Sequence, residues 1–170
     1  MEPLRRDAVA AGLAAGLAGS LAMTASTAVE MRVRHRPAST APVRAAERVT
    51  GVRLPSDRAR RAVSWGAHVP FGTALGLVRP LLGDRPGAAP AFFVLAWLPD
   101  LALVPAAGRQ PPSWRWGATE LALSAAHHAA YAVAGEAAWR ARRRLRPRRA
   151  RARPPGGRGG PARRTWRWVG

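Results

Sequence analysis

The stretch Gly12-Leu-Ala-Ala-Gly16-Leu-Ala-Gly-Ser20-Leu-Ala-Met-Thr24, "GLAAGLAGSLAMT", decides how the chain is read. Gly12, Gly16, Ser20, Thr24 and Ala28 recur every four residues, which places them on one face of a helix. No charged side chain falls between Ala8 and Val29. In water such a helix would show a polar stripe at every turn. In lipid, apolar burial does not drive helices together, and close backbone approach across small residues does. The ridge therefore predicts a helix packed against another helix within a bilayer. Arg5 and Arg6 ahead of an Ala/Leu core also fit a cleaved signal peptide. No small-x-small cleavage site follows, and the apolar run continues to Val29, which favours a retained helix.

Composition agrees once the charges are mapped. The 170 residues carry a net charge of +19 while 48% are hydrophobic. All 28 basic residues are Arg; 13 lie between Arg140 and Arg167, and nine between Arg32 and Arg61. Long stretches almost free of charge separate these blocks, as in membrane proteins whose loops carry the charge. Cysteine is absent, which excludes disulfides, thiolate metal sites and Cys nucleophiles.

Four spans follow, at about 8–29, 62–82, 87–108 and 116–139. A bilayer core needs about 20 apolar residues in a helix, with roughly 17 to 25 tolerated. The expected fold is all-α: an integral membrane four-helix bundle over residues 1–139, with an Arg-rich first loop and a disordered cationic tail at 140–170. Gly72 and Gly76 repeat the small-xxx-small device in the second span, and Pro70 is expected to kink it by freeing the carbonyl of Gly66. "LPSDRARRAV" reads as a helix start, with Ser56 as N-cap and Asp57 in the first turn. "STAPVRAAERVTG" reads as a short surface helix capped by Ser39 or Thr40. Pro90, Pro99 and Pro105 make the third span the best candidate for a re-entrant segment. Trp65, Trp114, Trp116 and Trp139 fall near span ends, where amphipathic rings favour the interface. Trp97 does not, and is expected to be buried or lipid-facing. Four spans put both termini on one side, and the Arg distribution favours the cytoplasm for that side.

Polar residues inside the spans carry what chemistry there is. Glu120, Ser124, His127, Tyr131 and Gly135 share one helix face, with His128 at its edge. Asp100 and His68 add titratable groups from the third and second spans. Ionisable residues in a span are costly and usually face the bundle interior. They serve either as interhelical glue, at about 0.5 to 2 kcal/mol per hydrogen bond, or as a proton or small-solute relay. Glu136 lies off the stripe and is expected to snorkel toward Arg140 or water. His127 and His128, being adjacent, point about 100° apart on a helix and could not easily share a metal. No HExxH, GxSxG, P-loop or Rossmann fingerprint is present, so no cofactor or metal is expected, and an enzymatic activity is the less favoured reading because nothing names its nucleophile. Arg142, Arg143, Arg144, Arg148 and Arg149 are expected to meet anionic lipid head groups at about 1 kcal/mol per residue near the surface. Nucleic acid is the less favoured partner, and homo-oligomerisation is open.

Four short motifs resemble the small YagU-like family of bacterial inner-membrane proteins. They are "GLAAGLAGSLAMTASTAVE", "AHVPFGTALGLV", "WLPDLALVPAAG" and "SAAHHAAYAVAGE", spread over about residues 8 to 137. The resemblance implies a four-helix membrane domain and the bacterial inner membrane as its location, with no catalytic residue to carry over. It also pairs "AHVPFG" with "AHHAAYAVAG" as a weak internal repeat. The Arg-rich loop and tail depart from the family pattern. The functional expectation is a small membrane scaffold or accessory protein with a polar His/Asp/Glu centre. Its alternatives are a proton or small-solute transporter or channel component, and a membrane-tethered binder of nucleic acid or anionic lipid acting through its tail.

Overall fold

A computed structural model describes residues 3–36, 43, 47, 50–106 and 111–145. Among these the chain is all-α, with no strand. Helix α1 spans Pro3–Val33, α2 Asp57–Leu75, the five-residue α3 Val78–Leu82, α4 Ala88–Ala106 and α5 Ala118–Arg144; a 3₁₀ turn, Ser113–Arg115, precedes α5. Helix α1 is central. It packs against α2 and α5, while α4 packs on α5 and α3.

Pairing of opposite ends shows that the long helices alternate in direction. Gly12 of α1 meets Gly76 at the end of α2, and Gly16 meets Gly72 and Thr73. Arg34, just past the end of α1, meets Glu120 in the first turn of α5, whereas Ala15 near the start of α1 meets Gly135 near the end of α5. Trp97 and Asp100 of α4 reach Ser124, and Phe92 reaches Gly135. The result is an up-down-up-down arrangement.

The contact faces are built from small residues. On α1, Ala11, Gly12, Ala15, Gly16, Gly19 and Ser20 are buried, while Leu13, Leu17 and Leu21 are 37%, 43% and 55% exposed. A Cβ on Gly16 would stand 2.3 Å from the Thr73 carbonyl oxygen, and one on Gly76 2.3 Å from that of Gly12. Backbone meets backbone here, and no side chain larger than hydrogen fits.

Local sequence accounts for the helix ends. The Ser56 hydroxyl accepts from the Ala59 N–H at 3.1 Å, an N-cap with Asp57 behind it in the first turn. Helix α1 stops where His35 adopts φ +50° and the Arg36 N–H donates back to the Met31 carbonyl at 3.0 Å. A left-handed residue with such a back-bond closes helices of this kind.

Set against expectation, the helices differ at several points. The second span does not run unbroken to 82: the backbone tightens to bonds from Leu77 to Ala74 and from Arg79 to Gly76 where α2 passes into α3. Pro80 is the cause, since it has no N–H for the Gly76 carbonyl and its ring excludes the regular i−4 geometry. Pro70, by contrast, lies inside continuous helix. Helix α4 also runs unbroken through Pro90, Pro99 and Pro105. Residues 140–144, expected in the tail, extend α5 by more than a turn, and residues 146–170 lie outside the described set. Residues 43, 47 and 50 are helical, but most of the expected surface helix at 39–51 lies outside it too. Finally, one helix among those described, Arg6–Val33, is long and apolar enough to cross a membrane by length and composition; Ala88–Ala102 is a shorter apolar helix. Helix α2 begins with Arg58, Arg60 and Arg61 and α5 ends with Arg142, Arg143 and Arg144, and these charges shorten the apolar part of each.

Candidate functional site

The polar side chains do not converge on one centre. They form layers stacked along the bundle, and helix register decides which layer each joins.

At the end holding the α1 C-terminus, Glu30 is buried and accepts from Arg34 at 3.2 Å. Arg34 and Arg36 also reach Glu120, at 2.8 and 3.1 Å. This ladder joins the C-terminal end of α1 to the N-terminal end of α5. The hydrogen bond to Glu120 raises the pKa of Arg34 above its already high ordinary value. Glu120 thus belongs to an exposed rim rather than to a central cluster with Tyr131. Nearby, Arg60 bridges Glu47 and Asp57 at 3.1 and 3.0 Å, and these carboxylates raise its pKa in the same way, Asp57 foremost.

One layer inward, the Ser124 hydroxyl donates to Asp100 at 2.5 Å and accepts from the Trp97 indole N–H at 2.9 Å. Trp97, expected to be buried or lipid-facing, is half-buried and serves as a polar partner. Across α5, His127 Nδ1 is 2.9 Å from the Ser26 hydroxyl of α1. His128, buried, has its Nδ1 2.8 Å from the Ser124 carbonyl, four residues back on its own helix. Half-buried His68 of α2 lies within electrostatic reach of His128. His127 and His128 therefore face different neighbours, α1 and α2, as adjacent helical positions must.

The middle of the bundle is the tightest. The Tyr131 hydroxyl donates to the Gly72 carbonyl at 2.6 Å. Ser20, fully buried, donates to the Gly16 carbonyl at 2.8 Å, with its oxygen against Gly72. A Cβ on Gly135 would stand 2.9 Å from the Phe92 ring and 3.0 Å from the Ala15 carbonyl oxygen. Gly19 is a contact residue the four-residue ridge missed: a Cβ there would press on the Tyr131 ring at 2.7 Å. Its spacing of three from Gly16 gives α1 a second small face, turned to α5. Thr24, assigned to the ridge, has a buried hydroxyl without a hydrogen-bond partner among the described residues.

The opposite end holds the feature least expected from the sequence. Arg79, the charge that ends the apolar run 62–78, is only 3% exposed. Its Nε donates to Glu136 at 2.5 Å, its Nη2 to the other carboxylate oxygen at 3.1 Å, and its Nη1 to the Gly83 carbonyl at 2.6 Å. Glu136, expected to snorkel toward Arg140 or water, does take a bond from Arg140 at 2.7 Å, but it is buried in this two-pronged clasp rather than turned to water. Trp139, expected at an interface, is buried beneath Arg79, whose guanidinium lies 4.9 Å from the ring centre. Arg143 pairs with Asp84 and also stacks on Trp139. Arg142 and Arg144 are exposed, and Arg148 and Arg149 lie outside the described residues.

Chemically, these layers are hydrogen-bonded joints. Among the described residues no group of His, Asp and Glu is placed to hold a metal ion. No protein-family model, curated protein or solved structure matches the chain, so the YagU-like resemblance stands on its four quoted motifs alone.

Proposed function

We propose that this chain is a multi-pass membrane protein of scaffold or accessory type, its helices held by glycine contacts and its embedded polar groups serving as interhelical joints. One observation carries this: beside an aromatic cluster at Phe92 and Tyr131, much of what the bundle buries is small or polar, while many aliphatic side chains face outward. Gly, Ala, Ser, an Arg–Glu clasp and His128 are buried, whereas Leu17, Leu21, Val29, Val94, Leu98 and Val133 are between 43% and 70% exposed. Aliphatic side chains pointing outward from several helices make a surface that water does not tolerate and lipid does. Polar groups pointing inward and paired across helices, as Ser124 with Asp100, Tyr131 with Gly72 and Arg79 with Glu136, follow the same logic. The apolar length of α1 and the YagU-like motifs support the same conclusion and the bacterial inner membrane as the location.

A relay of protons or small solutes is the second function these residues could serve, and it needs His68 and His127 to titrate along a path. The partners in place argue for joints instead, since His127 meets Ser26 and Ser124 is committed to Asp100 and Trp97.

Fractionation of cells expressing the full chain tests the location: it stays with membranes after an alkaline carbonate wash, and its release into the supernatant overturns the proposal. Proton leak in liposomes tests the role. Wild type, His68→Ala and His127→Ala leak equally if the histidines are joints; a leak above empty liposomes that either substitution abolishes makes the chain a conductor.

A further inference from the structure

The end of the bundle that carries the Arg79–Glu136 clasp also holds two cavities that run into one another. The first, about 430 Å³, is lined by Arg79, Arg85, Arg140, Arg143 and Arg144, with Trp139 as one wall. Five guanidiniums there face two carboxylates, Asp84 and Glu136. Both carboxylates are already engaged, Glu136 by Arg79 and Arg140 and Asp84 by Arg143. Arg85 and Arg144 have no acidic partner among the described residues, so the cavity keeps a surplus of positive charge. The second cavity, about 520 Å³, is an apolar groove between α4 and α5, walled by Phe93, Ala129, Ala132 and Val133. The two share Ala89, Pro90, Glu136 and Arg140, so the cationic chamber opens directly into the groove.

We infer that this paired cavity binds a single anionic phospholipid, its phosphate held by Arg85 and Arg144 beside the Arg79–Glu136 clasp and one acyl chain laid in the α4–α5 groove. The charge and shape complementarity are specific. Guanidinium forks match phosphate oxygens in a bidentate manner. A net positive chamber at the membrane surface selects an anionic over a zwitterionic head group, and basic pockets between membrane helices are known sites for such lipids. The groove takes what a free phosphate lacks. Arg79 takes a positioning role, because Glu136 and Gly83 already occupy its donors while its stacking on Trp139 holds the chamber wall in place. The inference rests on the membrane location proposed above, and it adds a discrete site to the diffuse attraction expected of the Arg-rich tail.

The test uses the full chain, purified in mild detergent and offered phosphatidylglycerol, phosphatidylcholine or inorganic phosphate, with bound species counted by native mass spectrometry. Wild type retains one phosphatidylglycerol in preference to phosphatidylcholine. The double variant Arg85→Gln/Arg144→Gln, altered only at exposed positions, retains it roughly tenfold less well with unchanged helix content. Ala129→Trp fills the groove and also loses the lipid. Equal retention of phosphatidylglycerol by wild type and the double variant overturns the site, as does equal retention of phosphatidylcholine. Protection of wild type and Ala129→Trp alike by inorganic phosphate, without lipid retention, identifies a free phosphate as occupant and overturns the lipid assignment. Carbonate-resistant membrane association without bound lipid removes this site alone; a chain released by carbonate removes the membrane location itself.

Discussion

The phenol of Tyr131 on α5 donates to the carbonyl of Gly72 on α2 at 2.6 Å, and that same carbonyl accepts the Gly76 N–H at 3.1 Å. Gly72 therefore has two donors on one oxygen, and a Cβ there would run into the Ser20 hydroxyl while meeting the Tyr131 ring at an ordinary 3.4 Å. Loss of the phenol leaves the carbonyl still satisfied within its helix. Tyr131→Phe is accordingly expected to cost only about 0.5–1.5 kcal/mol. Tyr131→Ala also opens a cavity beside Phe92 and Gly19 and should cost about 3–5 kcal/mol, on the scale of other large aromatic truncations. Unfolding in detergent titrations, followed by circular dichroism, separates the two. Equal losses would show that the hydrogen bond, not the ring, holds the contact.

The Arg79–Glu136 clasp predicts an asymmetry. Glu136 has a second guanidinium in Arg140, whereas Arg79 has only the Gly83 carbonyl beyond Glu136. Glu136→Leu strands a buried cation and should destabilise by about 3–5 kcal/mol. Arg79→Leu leaves the carboxylate paired with the exposed Arg140 and should cost distinctly less. The double substitution should recover part of the Glu136→Leu loss, because no uncompensated charge then remains. A larger loss for Arg79→Leu than for Glu136→Leu would contradict this account.

Sequence periodicity carried a good part of this architecture. The four-residue ridge on α1, the Ser56 cap and the shared face of Ser124, His127, Tyr131 and Gly135 are local features, and helix geometry alone places them. What periodicity could not supply was depth. A helix face gives direction around an axis, so Glu120 and Tyr131 share a stripe although one lies at the rim and the other in the middle of the bundle. Pairing across 57 residues, as between Arg79 and Glu136, depends on how α2, α3 and α5 slide past one another. Arg79 looked like a boundary charge because it follows a 17-residue apolar run at 62–78. Pro80 turns the chain there and carries the guanidinium inward.

Glycine position, rather than glycine content, sets tolerance to substitution. Gly16→Ala would place a methyl 2.3 Å from the Thr73 carbonyl oxygen and 2.6 Å from that of Gly72, both backbone atoms that cannot swing away. Overpacking of this kind costs about 1–3 kcal/mol. Gly66 sits within α2 with nothing within 4 Å of a built Cβ. Gly66→Ala should therefore stabilise by about 0.5–1 kcal/mol through helix propensity alone. Opposite signs for the same substitution in two helices check that α1 and α2 meet through their backbones. Tolerance of Gly16→Ala would place their contact elsewhere.

The chain has no cysteine, so single introduced cysteines report topology without background. Asp84, between α3 and α4, pairs with Arg143 near the end of α5, whereas Arg36 pairs with Glu120 at the other end of the same helix. Each ion pair ties its loop to one end of α5, and the helix between Glu120 and Arg143 rises about 35 Å at 1.5 Å per residue, roughly the thickness of a bilayer core. In sealed, right-side-out spheroplasts, a membrane-impermeant maleimide should therefore label Arg36→Cys but not Asp84→Cys, if the Arg-rich C-terminal end faces the cytoplasm as the positive-inside rule favours. The reverse pattern would invert the orientation while keeping the bundle. Labelling of both positions from the same side would mean that α5 does not cross the membrane between its two ion pairs, and would leave α1 as the one helix among those described that is long and apolar enough to do so.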